Sequence, residues 1–546
     1  MEVFREIQVA GPILDRCQNV FERADVRWVT SLAGRELGRL SALPTDDSAR
    51  KASPVHTTHY PQNRLEPLLW DRVRNEPAIT FLPGHRCVGL TEGPDAVDVT
   101  VQGDSGIECI AADYVVACDG VSSPVRRWLG IAAPGRVLQP MIGVHFTADL
   151  GHLVDARKGI LYWVLNRRLF GVLIAHWLPD EWVLYAPYFP PTQSPADFDT
   201  GRSRGLVEAA LGFPPRDLSI RTVGPWTLGA HLAAQYRLGR VLLAGDAAHS
   251  FPPTGGLGLN TGVQDAHNLA WKLAAVAKKM AGPELLDTYE QERRPVARRN
   301  LEHSVANYDK MSDLLRVAGL DLNDTRYLDR LQSSALLRVL PRSLRRLVVE
   351  SVLAAAVTRL ACFDATGRRG ARARRELARR LPAQAPHYRF IGLDLGVVYE
   401  RGALVPEPAP STVTHDEVQE YRPTCRPGAR LPHLWVDVSG RRIALHDTLS
   451  ANAFVLLTDV QGRRPWRAAA MEAHRLAPME CLAIGRQAVA DLVDVDDAWP
   501  AVAQLEPGGA LLVRPDGHVA WRSRTLPDEP VPALQATLER LLARGR

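Results

Sequence analysis

The sequence predicts a protein of mixed α/β class with several domains, on three observations. Its 546 residues are too many for one hydrophobic core, and 46% of them are hydrophobic, which is enough to build two or three cores. An apolar run at residues 239–245 predicts a short buried strand that leads through a glycine-rich loop into an amphipathic helix at 261–279. Four further apolar runs are separated by turn residues and predict an antiparallel sheet, at residues 141–147, 159–165, 170–176 and 182–188.

Further elements are predicted before and after these runs in the sequence. Residues 114–117 form an apolar strand that enters a polar turn, and residues 222–228 predict another strand. Residues 284–380 are mostly helical and charged, until a Pro-rich stretch at 405–410 marks a domain junction. The rest predicts a small α/β domain with strands at 453–457, 480–484, 509–513 and 518–522 and a closing helix at 531–542.

The charge balance argues against a nucleic-acid partner. The chain carries 66 basic and 61 acidic side chains, a net charge of +5 that is slight for this length. Arginines are concentrated at residues 368–380, in a segment of helical propensity. We interpret this segment as the solvated face of a helix, in preference to a phosphate-binding arm.

Cysteine usage and hydropathy favour a soluble protein of the cytoplasm. The seven cysteines are scattered, with no Cys-x-x-Cys pair and no histidine at metal-ligand spacing, so no metal site is predicted. No apolar stretch approaches the roughly 18 residues that a membrane span requires, and the start of the chain does not resemble a secretion signal. We therefore expect no membrane association.

The most informative segment is GDAAHSFPPTGGLGLNTGVQDAHNLAWKLAAV, residues 245–276. Asp246 follows a strand, and a carboxylate at the carboxyl end of a strand can accept hydrogen bonds from a chain of hydroxyl groups. Gly255, Gly256 and Gly258 lack the Cβ atoms that would keep backbone N–H groups away from a flat ligand. The next helix points its positive N-terminus at the loop, which suits an anion. The alternative is a tight turn whose glycines only shape a connection.

This segment resembles the second FAD motif of the class A flavoprotein monooxygenases, the family of p-hydroxybenzoate hydroxylase and phenol hydroxylase. The resemblance implies that Asp246 binds the ribityl hydroxyls and that the loop 253–260 lies along the isoalloxazine ring. The implied FAD-binding residues of this segment are Gly245, Asp246, Pro253, Gly256, Gly258, Leu259 and Asn260. Pro253 and His249 are candidates to lie near the ring, although His249 has an alternative role as a loop histidine held by backbone hydrogen bonds.

Two other segments share this resemblance. ACDGVSSPVRRWLGI, residues 117–131, is similar to the family's Asp-Gly motif, which implies that Asp119, Gly120 and Arg126 serve FAD and the reduced nicotinamide nucleotide. Upstream, Pro61-Gln62 and the Leu-Glu pair that follows resemble a family segment whose glutamine lies near the flavin. The alternative for Gln62 is an exposed glutamine at the start of a helix.

The C-terminal part, which contains Pro427-Gly428-x-Arg430-Leu431-Pro432-His433, resembles the thioredoxin-like domain of phenol hydroxylase and its chlorophenol and polyketide hydroxylase relatives. Thiol redox chemistry is not expected there, because the tail has no Cys-x-x-Cys pair. By analogy alone, this tail suggests a homodimer interface. The resemblance implies these units: an N-terminally incomplete FAD-binding domain at 1–135, a substrate-binding β-sheet domain at 136–230, the second part of the FAD-binding domain at 231–300, a helical region at 301–405 and a thioredoxin-like domain at 415–546.

One element of the family pattern is missing from this sequence. A complete member of the family begins with a Rossmann-like βαβ unit whose G-x-G-x-x-G loop holds the FAD pyrophosphate. The start, MEVFREIQVAGPILDRC, resembles family sequence just after that unit, as though roughly 30 to 40 residues were absent. Two explanations are open: a start codon assigned too far downstream, or a protein that has lost this loop.

The resemblance implies an FAD-dependent monooxygenase that uses NADPH or NADH and O2. Its flavin C4a-hydroperoxide would hydroxylate a phenolic or polyketide aromatic substrate. Tyr162, Trp163 and His176 of the predicted sheet are candidate substrate contacts, each with an alternative role in the core. A halogenase is less consistent, since no Trp-x-Trp-x-Ile signature is found. The alternative from another class is an inactive, truncated relative that binds a ligand or partner. The substrate, the position of hydroxylation and the choice of nicotinamide remain open.

Overall fold

The structure is a computed structural model that describes residues 1–18, 25–42, 51–155, 157–190, 193–320, 355–408, 415–486 and 489–544, with the isolated positions 344, 348 and 351. Helices and strands are mixed along the chain, and the strands of these described ranges form four sheets. The predicted α/β class is confirmed by this architecture and by the solved structures compared below.

The largest sheet has eight strands in the order β14-β11-β7-β10-β9-β8-β1-β2. The consecutive strands β8, β9 and β10 are antiparallel neighbours, as the apolar runs predict. The first two strands were not predicted, and β1 lies parallel to β8. The strands of this sheet are β1 Asp25–Val29, β2 Glu36–Ser41, β7 Gly135–Thr147, β8 Leu161–Asn166, β9 Leu169–Trp177, β10 Glu181–Pro187, β11 Ser219–Leu232 and β14 His249–Ser250.

The two faces of this sheet have different surroundings. Alternate residues such as Ile142, Val144 and Phe146 are fully buried in the main apolar core, together with Trp182 and Leu184 of the neighbouring strand. Between them, Gly143 and His145 of β7 are partly exposed on the opposite face, whereas Val183 of β10 is buried there. This alternation follows from the two-residue period of a strand. We call the opposite side the outer face of the sheet.

Two further sheets have three strands each. In the first, β13 is parallel to β6 and antiparallel to β12, which confirms the predicted buried strand before Asp246. The second is an antiparallel β-meander that was not predicted. The strands of these sheets are β3 Arg86–Glu92, β4 Val97–Gly103, β5 Gly106–Ala112, β6 Val115–Ala117, β12 Arg237–Leu238 and β13 Val241–Leu243.

Within the described ranges, ten α-helices lie in the first 400 residues. They are α1 Glu2–Glu6, α2 Ala10–Arg16, α3 Gln62–Arg74, α4 Pro124–Trp128, α5 Gly151–Val154, α6 Thr200–Leu211, α7 Leu257–Ala277, α8 Asp287–Leu315, α9 Gly367–Arg380 and α10 Ile391–Leu395. Helix α7 begins four residues before the predicted start at residue 261. The arginine-rich helix α9 buries only Gly370 and Leu377, as expected for a solvated helix face.

The C-terminal part forms a seven-stranded sheet in the order β16-β15-β19-β18-β17-β20-β21, with helices on it. The predicted tail strands and the closing helix are present, whereas β15, β16 and β19 were not predicted. Whether this unit is thioredoxin-like stays a prediction. Its elements are β15 Trp435–Val438, β16 Arg441–Ala444, β17 Phe454–Thr458, α11 Arg463–Ala473, β18 Met479–Gly485, β19 Leu492–Asp494, α12 Trp499–Ala503, β20 Ala510–Val513, β21 Val519–Ser523 and α13 Pro530–Leu541.

A buried ionic network joins this tail to the helices α7 and α8. Glu292 of α8 forms ion pairs of 2.8 Å with both Lys272 of α7 and Arg514 of the tail. Arg514 also pairs with Asp516. Burial would raise the pKa of Glu292, but Arg514 and Lys272 outweigh it and hold the pKa at about 2. Burial lowers the pKa of Lys272 to about 8 even though Glu292 opposes the shift. The ionisation of Lys272, Glu292 and Arg514 is therefore coupled across the junction between the tail and the helices α7 and α8.

Candidate active site

The loop after β13 carries Asp246 at the carboxyl end of the strand. Gly245, at φ +59°, turns the chain there and donates its N–H to Asp265 Oδ2 at 3.2 Å. The Asp246 carboxylate makes no hydrogen bond with any residue that the structure describes. The residue is exposed. Partial burial of the carboxylate nevertheless raises the pKa of Asp246, and the nearby His249 opposes this shift. This carboxylate is free to accept hydrogen bonds from a ligand.

The Asp-Gly loop lies directly beside it. Asp119 is exposed and accepts a hydrogen bond of 3.0 Å from the Val125 N–H, while Gly120 takes the left-handed conformation at φ +83°. Arg126 extends from helix α4 and donates to the Ala247 carbonyl at 2.6 Å. The structure thus brings the two segments that resemble family motifs together, although 121 residues separate Arg126 from Ala247.

The first turn of α7, which follows the glycine loop, has no side-chain cap from any described residue. Gly256 occupies the N-cap position at φ +64°, and no side chain caps the helix. A Cβ atom added at Gly256 or Gly258 would meet nothing within 4 Å, so open space lies beside both. Leu259 and Asn260 are exposed, and Asn260 donates to the Gly256 carbonyl at 3.1 Å. The helix N-terminus can therefore receive a ligand with negative charge.

The inner side of this loop is anchored on α8. The Thr254 hydroxyl donates to the Ser304 carbonyl at 2.6 Å, and Asn307 Nδ2 donates to the Thr254 carbonyl at 3.1 Å. Pro253 is exposed on the outer side. These two hydrogen bonds therefore hold the loop against α8, and its outer surface stays exposed.

His249 is not held by backbone hydrogen bonds, and its place near the ring stays a prediction. It is buried, with Nε2 at 2.6 Å from Asp265 Oδ2, and its ring stacks on Phe251 at 4.7 Å. Its partner is a buried carboxylate and not the backbone, so the predicted backbone hydrogen bonds are corrected. Burial would raise the pKa of Asp265, but Arg293 at 2.8 Å and His249 outweigh it and leave the pKa lowered. Asp265 and Arg293 were missed, although both are charged residues on buried helical stripes.

Gln62 is the first residue of α3 and is exposed, as in the alternative of a helix-start glutamine. Its Nε2 donates to Glu66 Oε1 at 2.6 Å. The next two residues, Asn63 and Arg64, donate hydrogen bonds to Glu181, the first residue of the central strand β10. The N-terminus of α3 is thus placed against the outer face.

The three predicted substrate contacts do not share a face. Tyr162 is buried in the main core, and its hydroxyl donates to the Arg157 carbonyl at 3.0 Å. Trp163, the next residue in the strand, lies on the outer face, where its Nε1 donates to the Tyr388 hydroxyl at 2.9 Å. His176 is on the same face as Trp163. The two-residue period of a strand places Tyr162 on the opposite face from Trp163, and which of these residues contact the substrate stays a prediction.

The packing on the outer face leaves a small apolar cavity of ≈ 10 Å³. Trp163 and Phe170 stack in its wall with ring centroids 6.1 Å apart. It is lined by Trp28, Trp163, Leu165, Phe170, Met311, Leu314, Leu315, Gln384 and Tyr388. Further along this face, the rings of Tyr185 and Trp226 are 4.8 Å apart, and the buried Trp226 Nε1 has no hydrogen-bond partner among the described residues. The face offers aromatic surface with a few polar atoms, as ligand sites do.

Comparison with known families gives two matches along the chain. Residues 1–304 match the FAD binding domain model, and residues 424–545 match the model for the C-terminal part of aromatic-ring hydroxylases. No helix in the described ranges is both long and apolar enough to cross a membrane.

Curated relatives and solved structures agree with these matches. Tetracenomycin A2 monooxygenase-dioxygenase of Streptomyces glaucescens is 35% identical, with 100% of this chain and 88% of the relative covered. The 2,4-dichlorophenol 6-monooxygenase of Delftia acidovorans is 31% identical, with 100% and 90% covered. The flavin-dependent monooxygenase PieE, solved with FAD and substrate, superposes with a TM-score of 0.83 at 29% identity, covering 100% of this chain and 91% of that one.

Proposed function

The chain belongs to the FAD-dependent aromatic-ring hydroxylases, and on that premise we propose that it hydroxylates a phenolic or polyketide-type aromatic ring held against the outer face of the large sheet. The support for this substrate class comes from the relatives, whose names include a tetracenomycin oxygenase and a dichlorophenol monooxygenase. O2 and NADPH or NADH are the proposed co-substrates. The match of the whole chain to such enzymes favours this function over a non-catalytic binding protein. The homodimer stays a prediction.

The residues around the glycine loop fit FAD. Asp246 has a carboxylate without a partner in the described chain, α7 has uncapped N–H groups, and open space lies where Gly256 and Gly258 lack Cβ atoms. We infer that Asp246 would hold the ribityl hydroxyls and that the loop 253–260 would lie along the ring. Asp119 and Arg126 would border the cofactor from the neighbouring loop. When bound, FAD reduced by the nicotinamide supplies the activation of O2 that the reaction requires.

The protein's own part in the reaction is to position groups and to exclude water. The N-terminus of α7 would stabilise negative charge at the end of the flavin that lies nearest to it, because no side chain in the described part of the protein caps its N–H groups. Arg126 keeps the two loops together through its bond to the Ala247 carbonyl. The outer-face aromatic residues Trp163, Tyr185 and Trp226 would orient the substrate ring and keep water away.

The observation that carries this proposal is that α8 holds both the loop and the cavity. The helix bonds to the loop at Ser304 and Asn307, and Met311 of the same helix lines the aromatic cavity. Four helical residues span about 6 Å, so the cavity lies roughly one helical turn along α8 from its contacts with the loop. A flat cofactor on the loop and an aromatic ring on the outer face would therefore be neighbours.

The experiment measures FAD content, NAD(P)H oxidation and O2 uptake with simple phenols and with polycyclic hydroxyquinones. The expected result is FAD-dependent oxidation that one of these classes stimulates, with a product heavier by one oxygen atom. Asp246→Ala should weaken FAD binding, whereas Asp287→Asn, an exposed control, should leave it unchanged. A protein that binds no FAD, or one whose NAD(P)H oxidation no aromatic compound stimulates, would contradict the proposal.

A further inference from the structure

A polar cluster lies at one end of the outer face. It consists of His145 on β7, His176 on β9 and Glu181 on β10, with Asn63 and Arg64 of α3 against it. His145 Nε2 lies 2.9 Å from Glu181 Oε1, and His176 Nδ1 lies 3.6 Å from the same oxygen. We call these three sheet residues the outer-face cluster. The proposed cofactor and substrate contacts do not include them, apart from His176.

Glu181 is the fixed anion of this cluster. Its Oε1 accepts a hydrogen bond of 2.7 Å from Asn63, and its Oε2 accepts one of 2.9 Å from Arg64. Burial would raise the pKa of Glu181, but the hydrogen bonds from Arg64 and Asn63 outweigh it and hold the pKa at about 2. Glu181 is therefore ionised throughout the neutral pH range.

The two histidines have different relations to this anion. In the tautomer that donates Nε2–H to Glu181, the Nδ1 atom of His145 is a proton acceptor, and no described residue occupies it. The ring of His176 lies 5.5 Å from that of His145. Burial lowers the pKa of His176 even though Glu181 opposes the shift, so this second imidazole stays neutral at neutral pH. A basic nitrogen and a neutral imidazole thus stand side by side.

The cluster adjoins the aromatic part of the outer face. In the pairing of β7 with β10, His145 is opposite Val183. Tyr185, two residues after Val183 on the same face of β10, is opposite Gly143. Same-face neighbours two residues apart are roughly 7 Å apart. The Tyr185 ring in turn contacts that of Trp226. An aromatic ring held by this pair would have a hydroxyl substituent within reach of the cluster.

We propose that His145, oriented by Glu181, accepts the proton of an acidic hydroxyl on the aromatic substrate, and that His176 hydrogen-bonds the phenolate that remains. The substrate O–H bond breaks, its electron pair stays on oxygen, and the proton joins His145 Nδ1 to give an imidazolium paired with Glu181. This arrangement resembles a carboxylate that orients a histidine base and stabilises its charged form. The inference rests on the proposed function and adds that the substrate bears a phenolic group at this end.

A metal ion is the competing occupant of the cluster. One ligand atom from each of its three residues lies within 4.8 Å of the others, a spacing compatible with a cation. However, both oxygens of Glu181 already accept hydrogen bonds, and the guanidinium of Arg64 places a positive charge beside them. A second cation there would be repelled. The contacts therefore favour proton transfer.

The test uses 4-nitrophenol, whose ionised form absorbs visible light, as a probe of the protein without turnover. Bound to the wild type, the probe should ionise at lower pH than in solution. In His145→Gln, which keeps an N–H donor near Glu181 but lacks a basic nitrogen, the ratio of phenolate to phenol should fall by roughly tenfold, equivalent to one pKa unit. His176→Gln should lower the ratio of phenolate to phenol by a smaller factor. The exposed His152→Gln is the matched control and should behave as wild type.

Three results would overturn the inference: an unperturbed probe spectrum with the wild type, the same ionisation in His145→Gln as in wild type, or loss of the effect on addition of EDTA, which would indicate a metal. If His145→Gln does not fold by circular dichroism, Glu181→Gln carries the test, with the same expected loss. FAD binding is measured in parallel. A wild type that binds FAD but leaves the probe unperturbed contradicts only this inference, whereas absence of FAD binding contradicts the proposed function.

Discussion

Replacing Asp265 with asparagine should destabilise the protein by about 3–5 kcal/mol, the usual cost of removing one partner of a buried ion pair. The carboxylate is fully buried and serves Arg293 at 2.8 Å, His249 at 2.6 Å and the Gly245 N–H at 3.2 Å. Asparagine has the same shape but no charge, so Arg293 would remain buried without its counterion. Each lost charge-assisted hydrogen bond accounts for about 1.5–3 kcal/mol. The uncompensated arginine is therefore the dominant cost.

The pH dependence of this effect has a definite sign. The pKa of Asp265 is lowered in the folded protein, so its stabilisation is present above the ordinary aspartate value of about 3.9 and is lost as pH falls through the folded pKa. The difference between wild type and Asp265→Asn should be constant near neutral pH. It should shrink in acid below that ordinary value.

Urea unfolding followed by tryptophan fluorescence measures this difference. The matched control is Asp287→Asn, which removes an exposed carboxylate from its pair with Arg237 and should cost less than about 1 kcal/mol. FAD affinity should also fall in Asp265→Asn, because the Gly245 turn beside Asp246 loses its acceptor. If both variants unfold at the same urea concentration, the carboxylate does not hold this site together and the reasoning is refuted.

Three further predictions concern the loop and the tail junction. Asp246→Asn should weaken FAD binding by roughly tenfold and Asp246→Ala by more, which a fluorescence titration of FAD would measure, since charge-assisted hydrogen bonds contribute about 1.5–3 kcal/mol; equal affinities would exclude Asp246 from the site. Gly262→Ala should destabilise by about 1–3 kcal/mol, because its Cβ would lie 3.3 Å from the Gly245 Cα. Gly205→Ala, on a helix with open space at that position, should instead stabilise by about 1 kcal/mol, and a thermal shift of the same sign in both would be contradictory. Glu292→Gln should cost about 3–5 kcal/mol in urea unfolding, since it leaves Lys272 buried without its counterion and Arg514 with Asp516 alone, and a loss below about 1 kcal/mol would count against the network.

The parts of the site that could be predicted from sequence are local in the chain. Asp246, the glycines and the start of α7 follow one another within residues 245–276, so their order alone placed a carboxylate and a helix N-terminus at one loop. The start of α7 was placed late because Gly258 argues against a helix by propensity. Packing outweighs that propensity: the helix approaches Gly245 so closely that a Cβ at position 262 would lie 3.3 Å from the Gly245 Cα.

The parts that could not be predicted depend on contacts between distant segments. Arg293 lies 28 residues after Asp265, and neither shows its partner in the sequence. Glu181 contacts Asn63, His145 and His176, which belong to three other elements. These contacts depend on the packing and register of those elements. Strands β1 and β2 were missed because their apolar runs are short and interrupted by arginines. Local patterns carry no information on such pairings.

The ion pair between Glu292 and Arg514 also constrains how this protein can change through evolution. The two partners stand 222 positions apart, and both side chains are fully buried. A recombination event that exchanged the tail for that of a distant relative would have to bring in a matching arginine, or Glu292 would keep only Lys272 as a buried counterion. We therefore expect the two halves to be inherited as one unit, and chimaeric enzymes made by joining them between residues 292 and 514 to succeed only when both residues come from compatible parents.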